Sequence, residues 1–395
     1  MNHEMASPHH GRLEFANTLR GLAALIVLLG HYVLVFHNIK GSSTPWFVPR
    51  EEPLYFNAYA PWAIETMRYL NPGPFAVSLF FLISGLVIPQ SVAALASKTN
   101  GRAAFAVGRL FRIWPTYCIC LTVSLVVLSV MPHLNDYRLP FTRLDVVANM
   151  SLFRGLIGGP QFDGIVWTLE IEVLFYLYIL LVWRCIAAGR LTPLALIAII
   201  TVAASRYGAN IEMSLAWNGA ANLLYPLPYL TFMSIGIAFN YHGRTMLKSS
   251  SLLATAAGMF AIFGWVAMVH QWDSSTVWSY GIALLVFTLF YFFARGWSGG
   301  SVLDFFAKIS FPLYAVHPVL GYTGMAFLLS IGFSDWNALF IMTTIAILAA
   351  WLIHVAVEAP SHRLGKSLGV KITAGPPLMP SVGDLSNYPS TRTSS

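Results

Sequence analysis

The chain has 395 residues, of which 57% are hydrophobic and only 10% are charged. A soluble domain carries about 25% charged residues, so this composition, with a mean hydropathy of +0.66, excludes an ordinary soluble enzyme and points to an all-α, polytopic membrane protein. The formal net charge of +7 lies largely in the segments between apolar runs, where basic residues report orientation before nucleic-acid binding.

Residues 1–12 are polar, hold His3, His9 and His10, and read as an N-terminal tail. The first span is expected over 14–37. Its apolar run is too long for a signal peptide and is therefore retained. A mixed loop, 38–74, closes on Pro72 and Pro74. Span 2 follows over 75–95. A basic connection with Lys98, Arg102, Arg109 and Arg112 leads to span 3, over 113–131. Residues 132–165 include an amphipathic piece, 144–157, suited to the membrane interface. Seven more spans are expected over 166–184, 191–205, 223–240, 252–270, 276–294, 309–331 and 337–357. That makes ten, to within one. A single membrane domain over 13–365, with no internal repeat, precedes a Pro-, Ser-, Gly- and Thr-rich tail, 366–395, expected to be disordered. With ten spans both termini share a side. Fifteen of the 23 Lys and Arg residues fall on that side, seven on the other, and Arg20 lies within a span. This bias puts both termini in the cytoplasm. Cys118 and Cys120 point to different faces of one helix and Cys185 is alone, so no disulfide framework is expected.

Arg20 and His31 are eleven positions apart in the first span. At 3.6 residues per turn that is three turns plus roughly 20°, so both leave one face, about 16 Å apart along the axis. Such groups are expensive in lipid, so their stripe should face protein or a water-filled cavity. His31 lies about 25 Å from the inner end of span 1, and Glu172 about 9 Å below the outer end of span 4. Those depths are similar. An imidazole and a carboxylate at one level suit general-base chemistry: His31 takes a proton from a hydroxyl, and Glu172 fixes the tautomer or stabilises the imidazolium. A buried ion pair that sets helix register and a proton relay are the other uses open to them.

Arg109 and Arg112, three apart, share a helix face at the expected cytoplasmic mouth of span 3, and Arg363 lies on the same side. Guanidinium groups gathered there suit a polyphosphate ligand, or serve as ordinary positive-inside anchors. Ser84 is either an oxyanion donor or a helix-packing residue. His317 sits near Pro312 and Pro318, where freed carbonyls need partners. Glu358 and Arg363 read as a helix-end pair, and Trp167 as part of an aromatic belt. Metal-ligand spacing, nucleotide loops and nucleic-acid surfaces do not stand out.

The pattern Arg20-x10-His31, in RGLAALIVLLGH, resembles the signature of the membrane acyltransferase-3 family. Further pieces are similar to that family in the expected order. They are FFLISG at Phe80–Gly85, RLFRIWPTY at Arg109–Tyr117, WTLEIEVLFY at Trp167–Tyr176, ISFPLYAVH at Ile309–His317 and VEAP at Val357–Pro360. The resemblance covers roughly residues 13–365. It implies a ten-span enzyme that moves an acyl group, usually acetyl from acetyl-CoA, across the membrane to a hydroxyl. The acceptor is commonly the sugar of a surface glycan or lipid-linked sugar, and for some relatives a small molecule. By the same resemblance His31 is the catalytic base and Arg20 orients or binds the donor. Arg109 and Arg112 meet CoA phosphates, and Glu172 is the family's acidic position, with Tyr176 closing its segment. Membrane lipid is the remaining partner; no metal and no nucleic acid are implied, and the site is a bacterial inner membrane. Departures are Leu86, where an aromatic is usual, and a second acid at Glu170. The family's esterase-like extension is not seen after the last motif, so the membrane domain alone should deliver the acyl group. The competing reading is a proton-coupled transporter built on Arg20, His31 and Glu172. Composition does not separate the two; the ordered motifs favour the enzyme.

Overall fold

A computed structural model describes residues 13–35, 70–130, 142–157, 161–211 and 224–374, and among them there is no strand. The expected tail 1–12, most of the 38–74 loop and residues 375–395 lie outside the described residues. Helix α1 (Glu14–Gly30) continues as a π turn, His31–Val35. Helices α2 (Pro72–Leu95) and α3 (Gly101–Val130) follow. Two short helices, α4 (Arg143–Ser151) and α5 (Arg154–Ile157), form the piece expected at the interface. Thr142 and Asp145 cap α4 reciprocally, which satisfies two of its otherwise orphaned N–H groups. Leu144 and Val147 are exposed while Ala148 is buried.

The remaining elements are α6 (Val166–Leu181), α7 (Trp183–Ala187), α8 (Thr192–Ile211), α9 (Leu227–Gly243), α10 (Ser249–Val269) and α11 (Ser274–Phe293). They end with α12 (Gly300–Ser330), α13 (Asp335–Ile353), a second π turn at His354–Glu358, and α14 (Ala359–Ala374). Each expected span coincides with a helix. Among the described residues seven helices are long and apolar enough to cross a membrane. Of the other three, α6 has 16 residues and α9 has 17. At 1.5 Å per residue both fall short of a hydrocarbon core about 30 Å thick. The third, α8, has its described apolar stretch over Thr192–Arg206, short of a full span.

Short helices suit the middle of the bundle. Every residue of α9 from Pro228 to Tyr241 is buried, the signature of a helix surrounded by protein. Gly85 on α2 and Gly236 on α9 bring the two backbones together; a Cβ on Gly85 would fall 2.1 Å from the Met233 carbonyl oxygen. Such small-residue contacts replace hydrophobic driving force between helices in lipid. Leu86, the departure beside Gly85, is buried, and its carbonyl accepts a 2.8 Å bond from Asn240. It faces helix packing and not the cleft described below.

Two boundaries differ from expectation. Helix α3 starts at Gly101, so Arg109 and Arg112 lie within a helix of 30 residues, about 45 Å long, and not at its mouth. At the other end α14 stays helical to Ala374, past residue 366. It packs along α3, with Gly365 buried against Phe111, and that contact holds a sequence whose composition alone reads as a tail.

Candidate active site

Arg20 leaves α1 one turn and a half above its start. Around it stand Arg109 and Arg112 from α3, Glu172 and Tyr176 from α6, and Ser84 from α2. Together with Phe80, Phe81, Thr168 and Tyr314 they line a cleft of about 100 Å³. Three guanidinium groups and one carboxylate give its wall a cationic excess. Glu172 is already engaged, accepting a short hydrogen bond from the Tyr176 hydroxyl. Arg109 donates to Ser91 Oγ at 2.7 Å and lies over the rings of Phe105 and Tyr176, at 5.1 and 5.4 Å from their centroids. The Nε of Arg20 is buried and makes no hydrogen bond. A buried donor left unmade is costly, and a ligand with acceptor oxygens would remove that cost.

A second cleft, of about 390 Å³, shares Val87, Arg109 and Arg112 with the first and adds Lys98, Ser91, His362 and Lys366. The two chambers therefore meet at Arg109 and Arg112. One is lined mostly by apolar surface from α2, α6 and α12; the other is framed by α2, α3 and α14.

The far end of α1 is organised differently. His31 Nδ1 lies 2.7 Å from His317 Nε2, with the rings 22° apart. His317 Nδ1 faces two backbone carbonyls, Leu313 at 2.9 Å and Tyr314 at 3.1 Å. The second is free because Pro318 has no N–H to reach back four residues. The Tyr32 hydroxyl donates to the His317 carbonyl at 2.9 Å. Its ring sits where a side chain on Gly321 would be: a Cβ there would fall 2.1 Å from Tyr32 Cζ. Gly321 is what admits Tyr32, and Tyr32 holds α1 against α12 beside the histidine pair. The π turn that begins at His31 is a feature often found at functional positions.

Tyr314 separates the two ends. It lines the arginine cleft, bonds Thr168 Oγ1 at 3.0 Å, and places its ring 6.1 Å from that of His317. His31 itself does not line the cleft.

The structure thus gathers Arg20, Ser84, Arg109, Arg112, Glu172 and Tyr176 in one place, and His31 with His317 in another. Glu172 is not at the level of His31. Counting span 4 from its outer end assumed that α6 starts at the membrane surface. Counted from Leu181 at the other end, Glu172 is about 14 Å in, close to the roughly 9 Å of Arg20 from the start of α1, and its charge acts on Arg20. Glu170, two residues away, turns outward and accepts from the Gly155 N–H at 2.8 Å and from Arg154 at 3.2 Å. Trp167 packs on Tyr225 and Tyr229 on that outward side. Glu358 pairs with His354, four residues before it, at 2.6 Å, where the sequence reading paired it with Arg363. Arg363 is exposed and lines neither cleft.

Residues the sequence reading did not single out are Lys98, His362, Lys366, Thr168, Tyr314 and Tyr32. A signal existed for two of them. His362 and Lys366 are four apart, in line with Gly369 and Thr373 on one face of α14, whereas Arg363 is turned about 100° away.

Residues 13–355 match the acyltransferase-3 family model, described as an acyltransferase domain. Among curated proteins, the nodulation protein 10 of Rhizobium leguminosarum bv. viciae is 28% identical over 141 residues, which covers 31% of this chain and 36% of that protein. The chain therefore spans about a third of the length of the curated relative it matches. No solved structure matches. With the family model covering nearly all of the described helices, the chain belongs to the acyltransferase-3 family.

Proposed function

We propose that this protein is an integral membrane O-acyltransferase that moves an acyl group, acetyl in the first instance, from cytoplasmic acyl-CoA to a hydroxyl of a surface or exported glycan. The observation that carries this reading is the cleft of three guanidinium groups, with a buried, unpartnered Arg20 Nε, on the same helix as His31. The CoA phosphates bind at the chamber of Lys98, Arg109, Arg112 and Lys366, where charge-assisted bonds to phosphate are strong. The pantetheine arm runs past Ser84 into the mostly apolar chamber. Rotation of the Tyr314 side chain away from Thr168 opens the last layer between the thioester and His31.

At His31 the acceptor hydroxyl, arriving from the other face, gives its proton to the imidazole. Its oxygen bonds to the thioester carbon, the C–S bond breaks, and the thiolate leaves, regaining a proton from the imidazolium. Glu172 holds Tyr176 and balances part of the arginine charge; it acts on the donor side and not on His31. Ten crossings, both termini in the cytoplasm, and a bacterial inner membrane complete the reading.

The test uses the protein in nanodiscs with acetyl-CoA. Release of free CoA is followed with and without a glycan or lipid-linked sugar. Acceptor-stimulated release is expected. Absence of donor binding and of release with every acceptor, together with a proton-coupled flux in liposomes, would overturn the proposal in favour of a transporter.

A further inference from the structure

Resting on the acyltransferase reading above, we infer that His317 is a positioning residue: it fixes His31 in the tautomer that carries hydrogen on Nδ1 and leaves Nε2 as the base. The reasoning is a chain of donors and acceptors. His317 Nδ1 faces two carbonyl oxygens, at 2.9 and 3.1 Å. Carbonyl oxygens only accept, so that nitrogen carries the hydrogen. In the neutral ring the other nitrogen, Nε2, is then a lone-pair acceptor. It lies 2.7 Å from His31 Nδ1, which must therefore be the donor. One nitrogen of His31 remains, Nε2, and it has no hydrogen. It turns toward the start of α2: a Cβ built on Gly73 would lie 3.6 Å from it. The same point lies 3.6 Å from Asn71 Oδ1, so the base turns toward the N-terminal turn of α2.

The origin of the relay is local sequence. Pro318 has no N–H to reach the Tyr314 carbonyl, which is therefore free to accept from the imidazole, and Tyr32 locks the His317 backbone through its carbonyl at 2.9 Å. When His31 Nε2 takes up the proton of the acceptor hydroxyl, the Nδ1–H bond to His317 becomes charge-assisted and stronger. His317 thereby favours the charged state of His31 that exists only during transfer, without touching the substrate.

The first test does not depend on turnover. The full-length protein, labelled with 15N-histidine and held in nanodiscs at neutral pH, is read by 15N–1H correlation. His31 signals are assigned by their loss in His31→Gln. Hydrogen on Nδ1 of His31 is expected; hydrogen on Nε2 overturns the inference, whatever the activity of the protein. The second test is kinetic. His317→Leu removes the acceptor, whereas His317→Gln can present an amide oxygen at similar reach. Loss of the group that sets a catalytic imidazole's tautomer costs up to about 10⁴-fold in turnover in the serine-protease triad. His317→Leu is expected to lose about 10²- to 10⁴-fold in kcat with the donor KM unchanged, and His317→Gln to recover part of that loss. Equal loss in both variants with a raised donor KM would mean that His317 only supports the fold. Should the wild type show the expected tautomer yet no transfer with any acceptor, the acyltransferase reading fails while the tautomer assignment stands.

Discussion

The two ends of α1 treat their polar groups in opposite ways. Near its start, Arg20 has a buried Nε with no partner and shares a cleft with Arg109 and Arg112. Near its end, His31 meets His317, and both nitrogens of His317 and its carbonyl are engaged. Unspent donors beside a cavity are what a ligand-binding surface offers. Donors spent on each other are what holds a ring in one orientation and protonation state. In the proposed function one helix thus joins a recognition end to a chemistry end, with Tyr314 between them.

That contrast can be broken most sharply at His31. His31→Ala should lower transfer by about 10²- to 10⁴-fold, the usual worth of a general base, with donor affinity unchanged; single-turnover kinetics and calorimetric titration with acetyl-CoA check both halves. At the other end, Arg112→Ala should raise the donor KM by roughly tenfold to a hundredfold, the effect of losing one charge-assisted hydrogen bond of about 1.5–3 kcal/mol, while kcat changes little. A fall in kcat with an unchanged KM would erase the division between the ends.

Smaller effects sharpen the comparison. Gly321→Ala forces a methyl group against the Tyr32 ring, an overpacking expected to cost about 1–3 kcal/mol. The thermal midpoint should fall, and kcat should fall with it because the histidine pair is displaced. Donor affinity should not follow. The smallest contrast lies on α14. Lys366→Ala should weaken donor binding a few-fold, more at low than at high salt, whereas Arg363→Ala, one face away, should match the wild type.

Much of this was legible in the sequence, for identifiable reasons. Span positions follow from long apolar runs, and each expected span coincides with a helix. The arrangement of Arg20 and Arg109 with Arg112 follows from helical spacing and from the order of motifs. What sequence did not disclose was depth. Short helices such as α6 and α9 do not show from sequence where along the bundle they start, so reckoning from an assumed surface put Glu172 beside His31 and not beside Arg20. Pairings across distant segments were equally hidden. His317 was singled out because Pro312 and Pro318 flank it, yet its meeting with His31 depends on Gly321 admitting Tyr32, a contact between residues almost three hundred positions apart. Only residues 366–374 of α14 read as tail, because their composition is polar, and a polar helix is held only by what it packs against.

The separation of binding from chemistry along α1 is tested most directly by the dissociation constant of acetyl-CoA, measured by titration calorimetry on His31→Ala and on Arg112→Ala in identical nanodiscs. The expected result is wild-type affinity in His31→Ala with no transfer, and affinity weakened about tenfold or more in Arg112→Ala. Lost binding in His31→Ala, with binding intact in Arg112→Ala, would contradict it.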